Sequence, residues 1–201
     1  MTKTSEKTAA PAPKAAERIR AKAGELFYAK GIRAVGVDEI VEQAGATKPS
    51  LYRSFASKDD LAAAYLTDYD KRFWARFDKA CAMHPGDTRA QVLEFLGGLA
   101  ERASQDGYRG CGLTNAAVEY PEPEHPARRV AKDHKRDLRA RLRAMAAEMG
   151  AENPQALGDG LLLLMEGAFA TGQLFGEGGP AGAVAEAAAA LIDASTPRSR
   201  G

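Results

Sequence analysis

A chain of 201 residues is long enough to bury a substantial core and to form one or two domains. It carries 28 Lys and Arg against 27 Asp and Glu, a formal net charge of +1, which excludes a global pull toward nucleic acid and requires any basic surface to be local. Two cysteines, Cys81 and Cys111, make neither a disulfide framework nor a metal site, and the longest strongly apolar run, Leu161 to Met165, is far too short to cross a bilayer.

Alanine, leucine, arginine and glutamate dominate, β-branched residues are sparse, and no run alternates with the period of a strand, so the expected fold class is all-α. Residues 1–16, rich in Thr, Ala, Pro and Lys, read as a disordered basic arm without the apolar core of a signal peptide. A cytoplasmic location is expected. Ile19, Ala23, Leu26 and Phe27 then mark one face of a helix closed at Lys30-Gly31. Lys3, Lys7, Lys14, Arg18, Arg20 and Lys22 crowd this end, interrupted by Glu6 and Glu17. Basic groups of this kind supply phosphate contacts, hence affinity and salt dependence rather than sequence choice.

The stretch from Val37 to Lys58 carries the strongest signal. Val37, Ile40, Val41 and Ala44 recur at i, i+3, i+4 and i+7 on a short helix, and Gly45 sits where such a helix ends in a left-handed residue. Thr47 is placed to cap the next helix, and Pro49 falls in its first turn, where a missing N–H costs nothing. Leu51 and Phe55 face inward, leaving Lys48, Ser50, Tyr52 and Arg53 outward. Two short helices around a tight glycine turn, the second with an exposed polar and aromatic face, form the layout of a DNA-reading helix-turn-helix. On this stretch alone an αα-hairpin of another bundle stays open. Ser57 then caps a long helix whose first turn holds Asp59 and Asp60, favourable at the positive helix start.

Leu26-Phe27, Gly31, Val37-Asp38-Glu39-Ile40, Ala44-Gly45, Lys48, Leu51-Tyr52, Phe55 and Ser57-Lys58 together resemble the TetR/AcrR family of transcriptional regulators. The match extends over roughly forty residues, which is far more specific than a lone short motif. The resemblance implies a three-helix DNA-binding domain over residues 17–58 and a helical ligand-binding and dimerisation domain over residues 59–194, with a disordered tail at 195–201. One position departs from the pattern. Where family members place a hydroxyl residue that caps the second helix and touches a phosphate, Val35-Gly36 stands here. Glycine caps acceptably but supplies no side-chain contact. The candidate DNA-binding set is Thr47, Lys48, Ser50, Tyr52, Arg53 and Lys58, with Lys48, Ser50 and Tyr52 facing the groove and Lys58 and Tyr52 on phosphates.

Beyond Lys58 the chain reads as a bundle. A helix over residues 59–82 carries Tyr65, Tyr69, Phe73 and Phe77 in a row spaced by four, with Trp74 beside it. Most of this row is expected to be core, and the family resemblance implies that its lower half lines a small-molecule cavity. A second helix, residues 87–105, turns Val92, Phe95, Leu96 and Leu99 inward around a Gly97-Gly98 pair that weakens it. A short helix follows, bounded by Gly110-Cys111-Gly112 and Pro121, with Asn115 and Glu119 four apart on one face. That pair either orients a ligand in an apolar pocket or satisfies backbone groups at a helix junction; Cys111 is either an accessible thiol or a small residue in a tight loop. The candidate pocket is Phe73, Phe77, Phe95, Leu99, Asn115, Glu119, Met165 and Phe169.

Residues 124–149 form a basic helix whose Val130, Leu138, Leu142 and Met145 recur near helical spacing, so its arginines and lysines are expected to make a solvated outer face. The histidines His84, His125 and His134 show neither a metal cluster nor an orienting triad. Two apolar helices close the chain, the first opened by Asn153-Pro154 and running to Phe175, the second running from Pro180 to near Asp193. Leu161, Leu164, Met165, Ala168, Phe169 and Gly172, with Val184, Ala187, Ala188, Leu191 and Ile192, are the expected association faces, since they are too apolar for solvent. In the family this pair builds a two-fold dimer interface.

The expected protein is a homodimeric, ligand-responsive repressor that binds palindromic double-stranded DNA and is released by a small molecule, with no cofactor, no metal and no membrane. It is not expected to be an enzyme. Two other classes stay open: a protein-interaction module whose helix-turn-helix has lost DNA binding, and a small-molecule enzyme using the central pocket.

Overall fold

The computed structural model describes residues 14–196. Most of the basic arm, residues 1–13, and most of the expected tail, residues 197–201, lie outside the described residues. Among those described, nine α-helices follow in order: α1 (Ala15–Lys30), α2 (Val37–Gln43), α3 (Lys48–Ser54), α4 (Lys58–Met83), α5 (Thr88–Ala103), α6 (Gly112–Glu119), α7 (Pro126–Glu148), α8 (Pro154–Phe175) and α9 (Val184–Ser195). A short 3-10 turn, Pro180–Ala183, precedes α9. The all-α class holds.

Short-range signals position the first four helices. Gly36 is the N-cap of α2 in extended backbone and makes no side-chain cap bond. Gly45, at φ +57°, turns the chain out of α2 in the left-handed region that a Cβ disfavours. The Thr47 hydroxyl accepts the Ser50 N–H at 3.3 Å to start α3, and the Ser57 hydroxyl accepts the Asp60 N–H at 3.0 Å to start α4. α1, α2 and α3 pack on one another around Ile19, Ala23, Ile40 and Leu51, all fully buried. Burying a leucine of this kind contributes about 1.5–3 kcal/mol, so α3 is firmly mounted.

α4 is the spine of the molecule. α1, α5, α6 and α7 all pack on it, while α7, α8 and α9 complete the bundle. The aromatic row predicted along α4 is real but divided. Tyr65 meets Phe27 of α1 edge-on at 5.7 Å, whereas Phe73 and Phe77 form a cluster with Phe95 of α5. Arg129, Lys132, Arg136, Arg139 and Arg141 of α7 face solvent as expected, but Arg128, Lys135 and Arg143 are half-buried and bond the Ala117 and Tyr120 carbonyls, Glu166 and Asp159 respectively.

The association faces need correction. Leu161, Met165, Ala168, Phe169 and Gly172 of α8 and Val184, Ala188 and Ile192 of α9 are buried inside the protomer's own core. Of the expected faces Ala187 is exposed and Leu164 and Leu191 are half-buried, and the large apolar residues that α8 leaves outside are Leu163, Leu174 and Phe175, at 72%, 77% and 61% exposure. With apolar residues on two faces of α8, periodicity does not say which face turns inward. No helix among the described residues is long and apolar enough to cross a membrane.

Candidate functional site

α3 presents the outward face that its sequence predicts. Leu51 is fully buried against α1 and α2, and this points Lys48, Tyr52 and Arg53 away from the core. Tyr52 is 51% exposed, an unusual placement for a large aromatic. Thr47 serves first as the cap, and its hydroxyl also lies 3.0 Å from that of Ser50. The Lys48 ammonium lies 2.7 Å from the Asp38 carboxylate of α2, and this hydrogen-bonded acid raises the lysine above its usual pKa. Lys48 is therefore a fixed cation at the start of α3. The Lys58 ammonium donates to the Arg33 carbonyl at 3.4 Å, beside the loop that enters α2.

The basic cluster on α1 differs from its expected role. Arg18 donates to the carbonyls of Ala44 and Gly45, both at 3.1 Å, and so braces the turn between α2 and α3. Arg20 forms a two-bond ion pair with Asp68 of α4 at 2.5 and 2.6 Å, and Lys22 pairs with Glu25. Arg18 thus holds the helix-turn-helix together and Arg20 sets it on α4, while the Lys22 pair stays within α1. Charge counting along a sequence cannot show that, because the partners of Arg18 and Arg20 lie 26 to 48 residues away.

A cavity of about 620 Å³ lies where α1, α4, α5 and α8 meet. Phe73, Leu99 and Phe169 from the candidate pocket line it, while Phe77, Phe95 and Met165 are buried in the core. Sequence reasoning missed most of its polar wall: Tyr28, Tyr65, Tyr69 and Tyr108, with Arg72, Arg76 and Arg102. A signal was available, since Arg72 and Arg76 are four apart on α4 and adjacent to the aromatic row. Tyr28 and Tyr69 both donate to the Gly110 carbonyl, at 3.2 and 3.3 Å, and Tyr28 accepts the Arg109 N–H at 3.0 Å. Gly110 has φ +68°, and a Cβ there would lie 2.8 Å from the Phe169 carbonyl, so this turn admits only glycine. Burial pushes all four phenols above their usual pKa. Cys111 is buried, with the Lys135 ammonium 3.5 Å from its sulfur.

Asn115 and Glu119 come together in a separate, smaller crevice of about 230 Å³ between α6 and the end of α1. Each has protein partners there. Asn115 donates to the Arg109 carbonyl at 2.6 Å. The Glu119 carboxylate accepts the backbone N–H groups of Ile32 and Arg33 at 3.1 and 2.7 Å, and the Arg33 guanidinium donates back to the Glu119 carbonyl at 3.0 Å. Of the two roles open for this pair, the junction is the one these bonds support. Glu119 latches α6 to the loop between α1 and α2.

Comparison with known proteins places these features. A family model describing bacterial regulatory proteins of the tetR family matches residues 19–65, which span α1 to the start of α4. The fold is similar to the crystal structure of a TetR-family transcriptional regulator from Streptomyces coelicolor, with 32% identity, a TM-score of 0.81, and coverage of 90% of this chain and 93% of that one. It is equally similar to a TetR transcriptional regulator from Streptomyces avermitilis, at 31% identity and a TM-score of 0.80, covering 91% and 98%. The HTH-type transcriptional repressor ComR of Escherichia coli is 30% identical over 106 residues, 51% of this chain; the chain spans about half, 50%, of that curated relative's length. With its helix-turn-helix, its bundle and near-complete relatives above 30% identity, the chain belongs to the TetR family of DNA-binding transcriptional regulators.

Proposed function

We propose that the protein is a homodimeric repressor that reads a palindromic operator with α3 and is released when a small molecule fills the cavity between α1, α4, α5 and α8. The observation that carries this is the mounting of α3: its buried Leu51, capped start and braced turn hold an exposed Lys48, Tyr52 and Arg53, with Ser50 half-buried beside them, on a rigid unit. Residues 17–58 act as the reading domain and residues 59–194 as the effector and dimerisation domain. Lys48, Ser50 and Tyr52 face the groove, Lys58 and Tyr52 meet phosphates, and Arg53 adds further positive charge.

Dimerisation is supported by α8. Leu163, Gly167, Ala170 and Leu174 follow one another at spacings of four, three and four, and all are exposed. That is the seam spacing of two helices packed side by side, with small residues allowing close approach. A two-fold dimer places two copies of α3 at a fixed separation, matched to half-sites one helical turn or a multiple apart.

Release follows from the same contacts. α1 lines the cavity and the Glu119 latch joins α6 to the loop entering α2, so a ligand that moves α4 or α6 moves α3. The ligand must bind the DNA-incompatible spacing more tightly than the compatible one. Sedimentation of the protein alone and on an operator duplex tests the assembly. Two protomers per duplex are expected, and Leu163→Glu with Leu174→Glu should give a monomer that no longer retains the duplex. A monomeric wild type that binds with undiminished affinity would refute the dimer.

A further inference from the structure

The central cavity holds more hydrogen-bond donors than it satisfies. Tyr108 Oη and Arg76 Nε are enclosed and have no partner among the described residues, and both side chains line this cavity; Tyr65 Oη is likewise unpartnered but lies against Gly112, at the smaller crevice beside α6. An enclosed donor without an acceptor loses its hydration and regains nothing. Burial keeps the Tyr108 phenol protonated, so it remains a donor.

The charges point the same way. Of the cavity's acids, Asp68 is taken up by Arg20 and Glu25 by Lys22, while Asp106 lies exposed on the loop after α5. Arg72, Arg76 and Arg102 form no ion pair among the described residues. Burial, and then the neighbouring charge of Arg76, hold the Arg102 guanidinium below its usual pKa. Two guanidiniums that repel each other beside unmet donors make a site that lacks an anion. An amine would face those cations with Asp68 and Glu25 already committed. Phe73, Leu99 and Phe169 offer apolar wall for the rest of a ligand.

We propose that this cavity binds an aromatic carboxylate, its oxygens held by Arg76, Arg102 and Tyr108 and its ring packed on Phe73, Leu99 and Phe169. The inference rests on the ligand-responsive reading above and adds the chemical class of the effector. Arg20, Gly24 and Tyr28 of α1 form one side of the same cavity, so the ligand touches the DNA-binding unit itself.

The test is calorimetric titration of the full-length protein, without DNA, with benzoate and 1-naphthoate, with the matching amides, and with benzylamine and 1-naphthylmethylamine. At least one acid should bind ten times or more tighter than its amide and its amine. Arg76→Gln and Arg102→Gln should each bring the acid-to-amide ratio toward one while leaving amide binding within twofold, which shows that the variants fold. Equal binding of acid and amide, tighter binding of an amine, an acid preference that survives both substitutions, or no binding by any of the six compounds would overturn the proposal. Anisotropy of a labelled operator then separates the two levels. Acids that bind the protein yet leave DNA affinity unchanged overturn the regulatory reading and uphold the anion site; release of DNA by amides as readily as by acids does the reverse.

Discussion

Replacing Glu119 with alanine removes the side chain that, among the described residues, bonds α6 to the loop leading into α2. Two backbone N–H groups lose their acceptor, those of Ile32 and Arg33. The Arg33 amide is exposed, and water takes over that bond at small cost. The Ile32 amide is part-buried, and loss of its bond to a charged acceptor costs about 1.5–3 kcal/mol. The expected loss is therefore about 2 kcal/mol, since the bond from the Arg33 guanidinium to the Glu119 carbonyl survives. At a denaturant slope of about 2 kcal/mol/M, the urea midpoint falls by about 1 M, measured at one protein concentration because a dimer's stability depends on it. Glu119→Gln keeps an acceptor oxygen and should lose about half as much. Amide exchange of Ile32 should speed up in both variants, and in Glu119→Ala any effector should release DNA less completely. An unchanged midpoint together with unchanged exchange at Ile32 would refute the latch.

Three further outcomes follow from named contacts. Tyr52→Ala should leave folding intact, because Tyr52 is half exposed, yet weaken operator binding by about 1–3 kcal/mol; Lys48→Gln should lower the slope of log affinity against log salt by about 1. Thr47→Ala removes the α3 cap and should cost about 1 kcal/mol of unfolding free energy by chemical denaturation, whereas Thr47→Ser should cost little. His134, buried with Nδ1 2.7 Å from the Asp70 carboxylate, is held below the ordinary value of 6.5 by burial, against the pull of Asp70. Its unfolded form binds the proton more readily, so stability is full above pH 6.5 and declines as pH falls from there toward the folded value. Denaturation midpoints between pH 8 and pH 5 should show that decline in the wild type and a shallower one in His134→Gln.

The parts of the fold legible in the sequence are those specified within a turn or two of chain. Gly45, Thr47, Pro49 and Ser57 each act on a neighbour three or four residues away, and the helix boundaries of α2, α3 and α4 follow from them. The outward set on α3 follows from Leu51, whose burial decides which residues point away. Long-range partners were not legible. Arg18 and Arg20 look like phosphate ligands until the fold sets them against Ala44, Gly45 and Asp68. Glu119 reads equally as a pocket group or a junction contact until α6 is placed beside Ile32, 87 residues earlier. On α8 two apolar faces compete, and only the positions of α5, α7 and α9 determine that Met165 turns inward and Leu163 outward. The polar wall of the cavity was legible only in part. Arg72 and Arg76 stand beside the aromatic row of α4, but only the meeting of α4 with α5 brings Arg102 to the same cavity.

Sequence-specific DNA reading by α3 is tested most directly by selecting bound duplexes from a random pool at two salt concentrations, with wild-type protein and Tyr52→Ala in parallel. The wild type should recover a palindrome whose half-sites lie one helical turn or a multiple apart, with retention weakening at the higher salt, and Tyr52→Ala should recover it poorly or with relaxed half-sites. Recovery of no sequence above background by the wild type, or the same palindrome with the same retention by both proteins, would contradict that claim.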